Sequence, residues 1–159
     1  MAIDAGAGND VLIANTNGNA FTISLPNAGT VTAGAISTFQ NVEALSGASG
    51  NDSFLFTNTG TLTGQIDAAG GSDTLIGDDN GNVFAVATAN QGTLTGKVSG
   101  WSNIENLTGG LGADTFDVDA GLTGSISGAA GQDLIDVAST VSIGGGISGD
   151  AGNDTITLG

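Results

Sequence analysis

Short runs alternating apolar and small or polar residues recur along the whole chain, each closed by a cluster of Gly, Asn or Asp. Leu62-x-Gly64-x-Ile66, Leu122-x-Gly124-x-Ile126 and Val141-x-Ile143 show the period of two that turns one strand face inward. Gly and Asn tolerate positive φ, so Asn17-Gly18, Asn58-Thr59-Gly60, Asn80-Gly81, Ala120-Gly121 and, more weakly, Ser139 mark sharp turns. No helical period is present. Just after the Gly-rich turns lies an apolar file: Leu12, Val31, Phe54, Leu75, Leu94, Phe116, Ile135 and Ile156. So regular a beat marks a chain wound into stacked coils. It predicts an all-β fold, a parallel β-solenoid (β-roll or β-helix) of about eight coils of roughly 20 residues, filling 1–159 as one domain. Two of those coils carry Ala28-Gly29-Thr30 and Gln91-Gly92-Thr93 at the turn position.

A second register competes with the first. The segments 4–21, 37–54, 67–84 and 99–116 align without gaps, each ending in Phe, and suggest a longer coil about half as large again. That register stacks Asp10, Glu43, Asp73 and Glu105 in one file and breaks after Phe116. Stacked coils tolerate little change of perimeter, which favours the shorter period. Both registers divide one super-repeat, which sets Asp4-Ala5-Gly6 against Asp67-Ala68-Ala69 and Asn41-Val42-Glu43 against Asn103-Ile104-Glu105.

The charge is one-sided. Sixteen acids stand against one base, Lys97, for a net charge of -15, and there is no Cys, His or Tyr. With 39% hydrophobic residues and the acids concentrated in turns, the chain reads as folded rather than disordered. Phosphate contacts need Lys and Arg that are lacking, so nucleic acid and anionic membranes are poor partners. No run is long enough to span a membrane, and no basic-then-apolar leader opens the chain. Without cysteine there is no disulfide framework.

Six of the turns are related nonapeptides: AGAGNDVLI (5–13), GASGNDSFL (47–55), AAGGSDTLI (68–76), GGLGADTFD (109–117), GAAGQDLID (128–136) and GDAGNDTIT (149–157). Their acids are Asp10, Asp52, Asp73, Asp114, Asp133 and Asp154. Carboxylates about 4.8 Å apart on neighbouring strands repel by roughly 1 kcal/mol in water, and more where water is scarce. An ion between them offsets that, and Ca²⁺, which takes six to eight oxygens in flexible geometry, suits such turns. The rival reading is a plain tight turn, with Asp capping its own backbone through Asx hydrogen bonds. Glu43 and Glu105 are read as solvated edge residues, Asp78-Asp79 as a solvated loop, and Trp101 as covering a coil corner.

The nonapeptides resemble the haemolysin-type calcium-binding (RTX) repeats, G-G-x-G-x-D-x-U-x with U apolar. Gly109 to Asp117 fits that pattern at every specified place; the other copies keep Gly8, Gly50, Gly71, Gly131 or Gly152 two before the Asp. The resemblance implies a secreted parallel β-roll in which Ca²⁺ bridges turns on successive coils. Carried onto this chain, it puts ions between Asp52 and Asp73, between Asp114 and Asp133, and between Asp133 and Asp154, with Asp10 a weaker ligand. Gly50, Gly71, Gly109, Gly112, Gly131 and Gly152 would then shape the turns. This chain carries one such turn per coil, not the family's tandem copies.

The function expected is therefore a structural one: an extracellular or cell-surface calcium-binding protein serving an adhesin, surface layer or filament. No evident cap closes either end, so the expected partners are further copies stacked head to tail, or neighbouring repeats. An enzyme is not expected, since no His, Tyr or Arg is present to position a substrate. The alternatives are a carbohydrate-binding or polysaccharide-active β-helix, and an ice-binding surface built on Thr30/Thr32, Thr61/Thr63 and Thr93/Thr95.

Overall fold

The computed structural model describes residues 1–159 as an all-β body. In chain order the strands begin with β1 (Ala2–Asp4), β2 (Val11–Ile13), β3 (Ala20–Leu25), β4 (Ala28–Ala33), β5 (Ile36–Gln40) and β6 (Ala44–Ser46). Next come β7 (Ser53–Phe56), β8 (Ile66–Asp67), β9 (Thr74–Ile76), β10 (Val83–Thr88), β11 (Gln91–Leu94) and β12 (Val98–Ser102). The last are β13 (Asn106–Gly110), β14 (Thr115–Val118), β15 (Ser125–Gly131), β16 (Leu134–Val137), β17 (Gly146–Ser148), β18 (Ala151–Gly152) and β19 (Thr155–Leu158). One sheet runs β1-β5-β4-β3-β7-β9-β13-β15-β17, with β18 beside β15; the other runs β2-β6-β8-β12-β11-β10-β14-β16-β19.

This overturns the single parallel solenoid of eight equal coils. Both sheets are mixed, because β3-β4-β5 and β10-β11-β12 are antiparallel meanders set among parallel strands. The reversals have a local cause. Asn27 (φ 53), Gly34 (φ 59), Asn90 (φ 53) and Gly96 (φ 75) adopt left-handed backbone, which folds the chain back within the plane of its sheet. Ala28-Gly29-Thr30 and Gln91-Gly92-Thr93, expected at corners, are therefore mid-sheet strand residues. Their glycines answer to crowding: a Cβ on Gly29 would lie 2.0 Å from Thr22 O and 3.0 Å from the Phe39 ring. On Gly92 it would lie 2.0 Å from Ala85 O and 2.6 Å from the Trp101 ring.

Each meander also lengthens the path between stacked neighbours. Phe21 pairs with Phe54 and Phe84 with Phe116, which are the long steps of the second register. Without a meander, Phe54 meets Leu75 and Ile135 meets Ile156, which are the short steps of the first. The longer spacing holds in one place and the shorter in another, so neither register runs through the chain. Val31 and Leu94, counted as file members, are the antiparallel neighbours of Phe21 and Phe84.

The inward side chains of both sheets merge into one core of 27 buried residues. The Phe21 and Phe54 rings stack at 4.9 Å, and Phe84 and Phe116 at 4.7 Å, so a ring pair recurs in each copy of the super-repeat. At the margin formed by β17 and β19 this core stays open. Ile156 and Leu158 are 44% and 72% exposed, and they border a cleft of about 390 Å³ with Val137, Val141, Ile143 and Ile147. The opposite margin, β1 and β2, shows Val11 and Ile13 to solvent while Leu12 is buried.

Candidate functional site

The turns entering the strands carry the acids, and stacking brings them into columns. On the first sheet the column runs Asn19, Asp52, Asp73, Glu105, ahead of β3, β7, β9 and β13. The Asn19 N–H donates to Asp52 Oδ1 at 2.7 Å, Asp52 N–H to Asp73 Oδ1 at 2.7 Å, and Asp73 N–H to Glu105 Oε2 at 2.8 Å. On the second sheet it runs Asn82, Asp114, Asp133, Asp154, ahead of β10, β14, β16 and β19. Asn82 N–H donates to Asp114 Oδ1 at 2.7 Å, Asp114 N–H to Asp133 Oδ1 at 2.8 Å, and Asp133 N–H to Asp154 Oδ1 at 3.0 Å. A third, shorter step joins Asp10 N–H to Glu43 Oε2 at 2.9 Å. The three acid pairs expected from the sequence are thus adjacent, and Asp10 finds Glu43 as its neighbour.

Each step staples one turn to the next by a charge-assisted hydrogen bond. The tight-turn alternative is met in altered form: most carboxylates cap the backbone of the adjacent turn. Asp114 does both, since the Gly110 N–H donates to its Oδ2 at 2.7 Å. Gly50 (φ 110), Gly71 (φ 142), Gly131 (φ 141) and Gly152 (φ 146) supply positive-φ backbone two residues before their acids. The copy closest to the repeat pattern behaves differently. Neither Gly109 nor Gly112 has a positive φ there, and both are crowded by neighbouring turns: a Cβ on Gly112 would sit 2.6 Å from the Asn80 carbonyl carbon.

The second carboxylate oxygens are less well served. The Oδ2 atoms of Asp10, Asp52, Asp73 and Asp133 are buried and take no hydrogen bond. Burial pushes the Asp73 carboxyl up to about 6, with the Asp52 and Glu105 charges adding to the effect against the Asp52 N–H bond. Burial likewise raises Asp52, opposed by the two bonds from Asn19, and raises Asp133, with Asp114, Asp154 and Asp150 adding repulsion. No three acidic side chains converge on one point. The one basic side chain, Lys97, pairs with Asp78 and lies beside none of those oxygens.

Asn19 and Asn82 escaped the sequence pattern, whereas the longer register had set Glu43 in file with Asp10 and Glu105 with Asp73. Glu43 and Glu105 are half-buried rather than solvated, and Asn27 and Asn90 hold them through Nδ2 at 2.9 and 3.1 Å. Asn19 and Asn82 begin the two columns, and each gives Nδ2–H to two carbonyls of its own turn. Glu43 with Glu105, Asn19 with Asn82 and Asn27 with Asn90 all recur at about the super-repeat distance, and that recurrence was the available signal. Asp78, expected in a solvated loop, is 3% exposed and forms an ion pair with Lys97 at 2.5 Å.

Trp101 lies mid-strand in β12, 3% exposed against Gly92, so its ring offers no face to a sugar. Thr30 and Thr32 lie on β4 of one sheet and Thr93 on β11 of the other, so the Thr pairs do not line a common face. No helix is long and apolar enough to cross a membrane. No known protein family, curated protein or solved structure matches the chain.

Proposed function

We propose that this chain is a structural protein of the extracellular space or cell surface that polymerises head to tail, with calcium neutralising its acidic turns. One observation carries the assembly: the β17–β19 margin presents exposed Ile156 and Leu158, free strand edges and an unpartnered Asp154 N–H together. Free parallel edges over an apolar floor are templates for another chain. A contact between unlike ends does not close on itself, so it propagates into a fibre.

Calcium rests on the orphaned Oδ2 atoms of Asp10, Asp52, Asp73 and Asp133, which are the first residues proposed to hold it. Asp114 and Asp154 join them through the same columns. The ion supplies positive charge where burial has left carboxylate oxygens without donors. It also lowers the net charge of -15 that otherwise opposes association.

Both parts are checked on one sample. At about 0.15 M salt, where the screening length is about 8 Å, electron microscopy is expected to show fibres that lengthen with Ca²⁺. At a hundred times its dissociation constant the ion is expected to add about 2.7 kcal/mol of stability, read as a rise in melting temperature. A melt unchanged by chelation contradicts the calcium site; single particles at every concentration contradict assembly.

A further inference from the structure

The two open margins are complementary in more than apolar character, which deepens the assembly just proposed and rests on it. In each column the N–H of one turn residue meets the carboxylate of the next. At the β19 margin Asp154 accepts from Asp133, but its own N–H has no partner. At the β2 margin Asp10 donates its N–H to Glu43, but its carboxylate accepts nothing. One end therefore lacks an acceptor and the other lacks a donor, at the same position one residue before a strand of the same sheet.

The backbone agrees. Gly8 and Gly152 have φ of 147 and 146, each two residues before its acid, so the first and last turns share a bend. Both antiparallel meanders contain two reversals, which leaves β1 parallel to β17 and β2 parallel to β19. A single translation along the sheets can thus set β17 beside β1 and β19 beside β2 of a second copy.

We infer that copies of this chain join in one register, with Asp154 N–H donating to the Asp10 carboxylate of the next copy. Ile156 then stacks on Leu12 and Ile147 on Ile3, continuing the inward columns of both sheets. Val11 and Ile13, exposed in the single chain, lie beside Thr155 and Thr157.

The test uses the chain 1–159 and three variants, with sedimentation velocity giving the critical concentration for polymer. In calcium-free buffer, where the ion proposed at this turn plays no part, Asp10→Ala is expected to raise it at least tenfold, since the Asp154 N–H of the neighbouring copy then meets no acceptor. Asp10→Asn, which keeps a carbonyl oxygen at the place, is expected to recover most of the loss. Ile156→Lys, at an exposed site on the other margin, is expected to abolish growth and to shorten wild-type fibres when mixed in. Polymerisation of Asp10→Ala at the wild-type concentration overturns this register while leaving assembly standing. A wild-type chain that never polymerises overturns assembly and the register together.

Discussion

Replacing Lys97 by methionine is expected to destabilise the fold by about 3–5 kcal/mol, the cost of leaving a buried charge without its partner. Lys97 is the only base in the chain. Its ammonium lies 2.5 Å from Asp78, with side-chain exposures of 13% and 1%, and also donates to Thr57 O and Asn58 O. Burial works against ionised Asp78, but the Lys97 and Asn80 bonds prevail and hold it below the usual carboxylate range. Three turns are thereby tied together: the one after Gly96, the one after β7 and the one before β10. The first half of the chain supports the assignment. At the place of Asp78 it carries Asn15, and its corresponding turn, Gly34-Ala35, has no base. Acid and base are present together or absent together. Chemical denaturation reads the loss directly, and the melting temperature should fall by roughly 10 °C. Asp78→Asn in the same molecule should restore most of it. A single variant as stable as wild type would show the pair to be idle.

The second large effect has the opposite sign. Asp73→Asn is expected to stabilise the chain at pH 7.5 without divalent ions. The folded carboxyl sits at about 6 against an ordinary 3.8, so ionising it opposes folding. That displacement corresponds to about 3 kcal/mol, reduced to about 1–2 kcal/mol by solvent at the turn. The amide oxygen still accepts the Asp52 N–H. Because the folded state binds its proton first, wild-type stability should climb as pH falls from about 6 towards 4, whereas above 6 both states are ionised and the cost is full. The variant should lose that component of the pH profile. Denaturation midpoints at pH 5 and 7.5 measure it, and parallel profiles for the two proteins would contradict it.

Strands, turns and the pairing of Asp52 with Asp73, and of Asp133 with Asp114 and Asp154, were legible because each depends on local spacing. Period two and Gly-Asn turns act within a few residues, and no meander interrupts the intervals between those acids. The path of the chain was not legible in the same way. A left-handed Asn27 or Gly96 can turn a strand onto the next coil or back beside itself, and the residue types are the same in both cases. What decides is the room that Gly29 and Gly92 leave for Phe39 and Trp101, a contact across strands that a one-dimensional period does not contain. Asn19 and Asn82 were hidden for a related reason, since they continue an Asp column with another residue type; the longer register had already filed Glu43 with Asp10 and Glu105 with Asp73. A ladder is defined by its hydrogen bonds, so Glu105 accepts from Asp73 as Asp73 does from Asp52, and Asn19 and Asn82 open their columns by donating to Asp52 and Asp114.

The most direct measurement is the axial rise of the polymer by helical reconstruction from electron micrographs. Nine strands lie along each sheet path, and at about 4.8 Å each they give a rise of about 43 Å per copy. That rise is expected, with all copies pointing the same way and the Asp154 turn seated on the next copy's Asp10 turn. Closed two-fold pairs joined through like ends, or a rise that does not match the nine strands, would contradict it.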